Sequence, residues 1–118
     1  MRAKGTKTLL AVAAIAIFGT QVFAAPPRDD SQIDRGHKVY QKWCYPCHGP
    51  GAGHPGTASL AARGQKPAVL EERADLTPPM IKTFVRHGTS FMPTFRKTEI
   101  SDADLDAIAA YLTKSGKP

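Results

Sequence analysis

Cysteine is scarce in this chain. Its 118 residues hold two, so at most one disulfide can form. Both lie in WCYPCHGPGAGHPG, residues 43–56, three positions apart. A bridge between them would close so short a loop that it removes little entropy from the unfolded state. Other features are missing too. There is no basic run and no interleaving of basic with aromatic residues, which removes the case for a nucleic-acid partner. Nothing past the N-terminal segment alternates polar and apolar for long, which argues against sheet, and no segment repeats. The apolar run LLAVAAIAIF, residues 9–18, is ten residues long, short of the ~20 that span a bilayer.

That run has a different use. MRAKGTK precedes it with three basic residues and no acid, and GTQVFA follows, ending in small residues. Basic, apolar and small-residue zones in this order make a secretory signal peptide. Val22 and Ala24 fit the small-x-small rule, so residues 1–24 are expected to be cleaved, with no stable membrane insertion afterwards. Without Arg2, Lys4 and Lys7 the 16 basic residues fall to 13 against 10 acidic ones, a balance of +3. The remaining 94 residues form one domain. A domain of that size builds a small core and commonly adds a disulfide framework or a prosthetic group.

Residues 25–30, APPRDD, read as a flexible leader, and residues 31–116 as the domain. Ser31 starts a helical pattern, with Asp34 at the capping-box position. Ile33, Gly36, Tyr40, Trp43, Cys44 and Cys47 share roughly one face. Gly36 inside a helix costs about 1 kcal/mol relative to Ala, which suggests another backbone close by. GPGAGHPG, residues 49–56, is a loop, ASLAAR at 58–63 a single turn, and 67–73 a short helix. Thr77-Pro78-Pro79 opens a helix through MIKTFVRH, with Ile81, Phe84 and Val85 as its apolar face and Gly88 ending it. TSFMPTFRKT, residues 89–98, has no period yet carries two Phe and a Met. Ser101 caps the last helix, with Asp104 three residues on and Ile100 stapled to Leu105. The fold class is all-α, three to five helices with long ordered loops.

Cys44 and Cys47 stand one helical turn apart, so their sulfurs point the same way, and His48 follows at once. C-x-x-C-H is the attachment signature of haem c. Each thiol adds to one haem vinyl group, and the adjacent imidazole reaches iron. Three alternatives rank behind this. A redox dithiol lacks a βαβ setting, zinc lacks a familiar ligand spacing, and a plain disulfide would be strained. A haem would also supply the missing core and explain the apolar loop. For the second axial position Met92, in that loop beside Phe91 and Phe95, ranks above Met80, which reads as a helix-face packing residue. His37, His54 and His87 rank lower still: His87 sits at a helix end, and His54 is too near His48 to reach the opposite face.

The ordered set of Gly36 with Tyr40, CYPCHG, a Gly-Pro loop, VRHG, FMPTF and a last helix ending AIAAYL resembles class I (mitochondrial-type) cytochrome c in its small bacterial monohaem form. The match spans residues 33–114. The resemblance implies one covalent haem, with His48 proximal and Met92 distal. It implies that the N- and C-terminal helices cross, with Gly36 and Tyr40 against Ile108 and Tyr111. It also implies a Pro carbonyl accepting the His48 N–H, for which Pro55 is the candidate, and a haem propionate partner, for which Arg63 is placed. Cys44, Cys47, His48, Phe84 and Met92 should then converge on one cavity.

The expected role is periplasmic one-electron transfer rather than catalysis, because both axial sites are filled. A haem peroxidase or gas-binding protein would need a labile sixth ligand. The length and the VRHGTSFMPTF region are also similar to cytochrome subunits of p-cresol methylhydroxylase-like flavocytochromes. The implied partners are redox proteins, with a flavin, quinone or molybdenum dehydrogenase as donor. The protein would be a monomer or a subunit of a hetero-complex.

Overall fold

The computed structural model describes residues 29–115. The signal segment and residues 25–28 of the leader lie outside them. Five α-helices follow in order: α1 (Asp30–Trp43), α2 (Tyr45–His48), α3 (Pro55–Ala62), α4 (Pro78–His87) and α5 (Asp102–Ser115), with a 3-10 turn at Leu70–Glu72 between α3 and α4. Among the described residues there is no strand, only one isolated pairing of Thr89 with Met92. The all-α expectation holds.

α1 begins ahead of the expected Ser31. Asp29 is its cap, and the carboxylate accepts from the Ser31 amide at 3.0 Å and its hydroxyl at 2.5 Å. An ionised side chain at the N-terminus also meets the positive end of the helix dipole. Ile33, Gly36 and Tyr40 are the buried residues of α1. They meet α5, where Leu105, Ala107, Ile108, Ala109 and Leu112 are buried. At the crossing a Cβ on Gly36 would stand 2.0 Å from the Ala107 carbonyl oxygen and 2.8 Å from Tyr111 Cβ. Gly36 is therefore required by a backbone contact. The closest partner is Ala107 rather than the expected Ile108.

The Ser101 cap is as expected: its hydroxyl accepts from the Asp104 amide at 3.1 Å and donates to the Asp104 carboxylate at 2.8 Å. Ile100 and Leu105 are both buried in the central cluster, which is the staple. Thr77 caps α4, Pro78 and Pro79 fill its first turn, and Gly88 ends it with φ +67°. Ile81 and Val85 join Tyr40, Ile100, Leu105, Ile108 and Leu112 in one core. Phe84 does not, being 43% exposed. α3 is longer than the single turn expected, starting at Pro55 inside the Gly-Pro stretch. Pro at the first position gives up no helix hydrogen bond, and the following small residues propagate the helix. The expected 67–73 helix is only the 3-10 turn.

Candidate functional site

α1 delivers the chain into the Cys44–His48 turn without a break, since Cys44 both ends α1 and caps α2. The amides of Cys47 and His48 both bond the Cys44 carbonyl, at 3.1 and 2.9 Å. This places the two thiols a turn apart, as free cysteines. Cys44 is half-buried against the core and Cys47 is exposed.

Three carbonyls of this turn are served by side chains from elsewhere. The Pro46 carbonyl would ordinarily pair with the amide four residues on, but residue 50 is proline and has no N–H. His54 Nδ1 lies 3.1 Å from it. A carbonyl only accepts, so His54 carries its proton on Nδ1. Its ring also meets Tyr45 edge-on at 5.2 Å. Thr57 donates to the Gly49 carbonyl at 2.9 Å, and Tyr40 to the His48 carbonyl at 3.3 Å.

His48 Nδ1 is buried and has no hydrogen-bond partner. Burial lowers the imidazole's pKa, so His48 is held neutral, the form that ligates metal. Gly56 faces this ring: a Cβ there would come within 2.8 Å of Cε1 and 3.0 Å of Nδ1. Pro55 opens α3 and is exposed. Burial, and then the neighbouring Cys47, pushes the Cys44 thiol up to about 12. A reactive dithiol or a zinc thiolate wants the opposite shift, and no group of three or more metal-ligating His, Cys, Asp or Glu occurs among the described residues.

Met92 sits in a tight turn: it exchanges backbone hydrogen bonds with Thr89 at 2.9 and 3.2 Å, and Ser90 between them has φ +53°. Its side chain is half-buried and packs on the same core as Cys44, Trp43 and Phe95. Phe95 meets Trp43 edge-on at 5.9 Å. Phe91 is 62% exposed. Arg63 is exposed and ends α3. Of the five side chains expected to converge, Cys44 and Met92 share one cluster, while Cys47 and Phe84 are exposed. A groove of about 440 Å³ beside His54, Pro55 and Ala61 is lined by none of the five.

Three further residues matter that the spacing of motifs does not single out. Thr57 is a buried hydroxyl with no motif around it. Arg73 is also buried, bonding Asp75 at 2.9 and 2.5 Å and Gln65 at 2.9 Å. For His54 the sequence does hold a signal, since Pro50 four residues after Pro46 leaves a carbonyl without an amide.

The donor set fits a covalently held haem. It has two thiols a turn apart, a neutral imidazole with one nitrogen unpaired in a glycine-lined recess, and a thioether in an apolar loop on the same core. A family model described as cytochrome c oxidase, cbb3-type, subunit III matches residues 31–112. The chain is 32% identical over 112 residues to a 4-cresol dehydrogenase [hydroxylating] cytochrome c subunit of Pseudomonas putida, covering 95% of this chain and 88% of that protein. It is 28% identical over 106 residues to a cytochrome c6 of Synechococcus sp. (strain ATCC 27167 / PCC 6312), covering 90% of each. No solved structure gives a significant match.

Proposed function

Since this chain belongs to the cytochrome c family and transfers electrons through haem, we propose that it is an exported, periplasmic carrier built on one covalently attached haem c. Cys44 and Cys47 would hold the haem by two thioethers, His48 would be the proximal iron ligand and Met92 the distal one. When bound, the haem iron supplies the one-electron couple. The chain's own residues do the rest. His48 stays neutral by burial, with Gly56 leaving room for its ring. Phe84, Phe91 and Phe95 would pack on the haem, with Pro55 and Arg63 as the candidates for orienting His48 and for a propionate. A thioether ligand favours the ferrous state, so the potential is high for a haem. Two filled axial positions leave no place for substrate on iron, so no enzymatic activity is assigned to the chain itself. The observation that carries the reading is the Cys44–His48 turn: two thiols on one side of a single turn, ending in a neutral imidazole.

A second reading rests on the Pseudomonas putida relative, whose length this chain nearly matches. In it the protein is the dedicated haem subunit of a dehydrogenase, with a flavin, quinone or molybdenum partner as electron donor. Stable co-purification with such a subunit supports it, and exchange with many proteins as a monomer refutes it.

The testing measurement is an optical spectrum of the exported protein, oxidised, then reduced, then under carbon monoxide. Sharp c-type bands, a weak far-red Met–iron band in the ferric form and no response to carbon monoxide are expected. Prompt carbon monoxide binding would overturn the closed-carrier reading, and absence of haem would overturn all of it.

A further inference from the structure

The Met92 segment begins and ends on one turn of α4. At its start Gly88 caps the helix, its amide bonding the Phe84 carbonyl at 2.8 Å. At its end the Phe95 amide returns to the Val85 carbonyl at 2.9 Å. Gly88 also lies so close to this return that a Cβ would stand 2.6 Å from the Met92 carbonyl oxygen. Residues 88–95 thus form a closed loop with Met92 inside it. The side chain between its two anchor points is Arg86.

Arg86 comes from α4 and is 19% exposed. One arm of its guanidinium donates to the Phe95 carbonyl at 3.0 Å. The other reaches the Asp102 carboxylate at 2.9 Å, the first residue of α5. Lys97, just past the loop, meets the other oxygen of that carboxylate at 2.6 Å. Arg86 therefore ties the loop's return strand to two helices at once. Asp102 is well exposed, so its ion pairs are screened and hold little by themselves. The bond to the Phe95 carbonyl is partly buried and charge-assisted, and so is the stronger of the two. A planar fork can make both contacts together, whereas an ammonium offers a single point.

We propose that Arg86 is a positioning residue for the axial thioether: its fork on Phe95 and Asp102 keeps Met92 in place and closes the sixth coordination position. This rests on Met92 being the distal ligand. Arg86 touches neither haem nor iron in this role. It sets the fraction of molecules in which the loop stands open. An added ligand binds only that fraction, so its apparent affinity reports it directly.

The test uses the full haem-loaded protein. Imidazole is titrated into the ferric form of the wild type, Met92→Ala, Arg86→Leu and Arg86→Lys, while the far-red Met–iron band is followed at a temperature where each is folded. The expected wild type shows the band and Met92→Ala lacks it. Arg86→Leu keeps its covalent haem but loses the band at roughly tenfold lower imidazole. Arg86→Lys falls between, keeping a cation for Asp102 without the second arm. A merely stabilising role would lower the melting temperature and leave the imidazole affinity unmoved. If the wild type shows the band and both Arg86 variants titrate with it, the positioning role is overturned while the Met92 assignment stands. If the wild type shows no band, the Met92 assignment fails and the proposal with it. Should Arg86→Leu fail to fold, Arg86→Lys decides alone, and a wild-type titration curve overturns the proposal.

Discussion

His54, Tyr40 and Thr57 each give a proton to a carbonyl of the Pro46–Gly49 segment that the short helix α2 leaves unpaired. The rigidity of this turn is therefore imported from α1 and α3. Thr57 is the one whose loss should be read most cleanly, because both it and Gly49 are buried. Thr57→Val keeps the shape and removes the donor, leaving a buried carbonyl unsatisfied at about 1–3 kcal/mol. Urea unfolding of the haem-loaded variant should show that loss with an unchanged slope, and a midpoint equal to wild type would mean that water replaces the hydroxyl. At this scale the sequence exposed what spacing alone dictates, namely Cys44, Cys47 and His48. It hid Thr57 and Gly56, because nothing in local composition reveals which loop residue will fold back onto a ring. Phe84 misled for a related reason. Helical spacing puts it with Ile81 and Val85, but a face wide enough for three residues exceeds what α5 covers.

Among elements, the crossing of α1 and α5 is the frame. Glycine was legible as costly in α1, and the structure gives the cause in the Ala107 carbonyl at the crossing. Gly36→Ala cannot be absorbed by a side-chain rotation, because the clash is with backbone. The helices must part, which should cost about 3 kcal/mol, a fall of at least roughly 10 °C in Tm. A smaller shift by calorimetry would mean that the helices slide past each other freely. Helix ends were readable wherever a cap had a single candidate, as at Thr77 and Ser101. They were not where candidates crowd. In DDS, residues 29–31, three good caps compete, and Asp29 wins because it accepts from both the amide and the hydroxyl of Ser31. α3 was underestimated because Gly and Pro dominate its approach, although Pro55 itself begins it.

The whole molecule is held at its periphery by carboxylates with cationic or hydroxyl partners. Hydrogen bonds from Lys97 and Arg86 hold the Asp102 carboxyl below its ordinary value. Ser101 and Arg35 do the same for Asp104, Arg73 for Asp75, the Arg96 amide and side chain for Glu99, and Ser31 for Asp29. Each lowered value means that the unfolded chain takes up a proton before the folded one as pH falls. Their stabilisation is complete above the ordinary carboxylate range, about pH 4, and is lost as pH drops through the lowered values. Melting temperatures should be level near neutrality and fall below about pH 4. Added salt should shrink the neutral-to-acid difference, because these carboxylates are exposed or only half-buried. A melting temperature indifferent to both would show that the ion pairs around α5 contribute nothing.

In polymer terms the crossing is a clasp. Arg35 and Asp104 pair across 69 positions of chain, so the two outer helices close one long ring that contains the Cys44–His48 turn, α3, α4 and the Met92 loop. Closing such a ring becomes only about 0.6 kcal/mol harder each time its contour doubles. The ring can therefore gain or lose residues between its anchor points, most readily in the exposed 63–67 stretch, while the frame stays as it is. Chains of quite different length could in this way share one fastening.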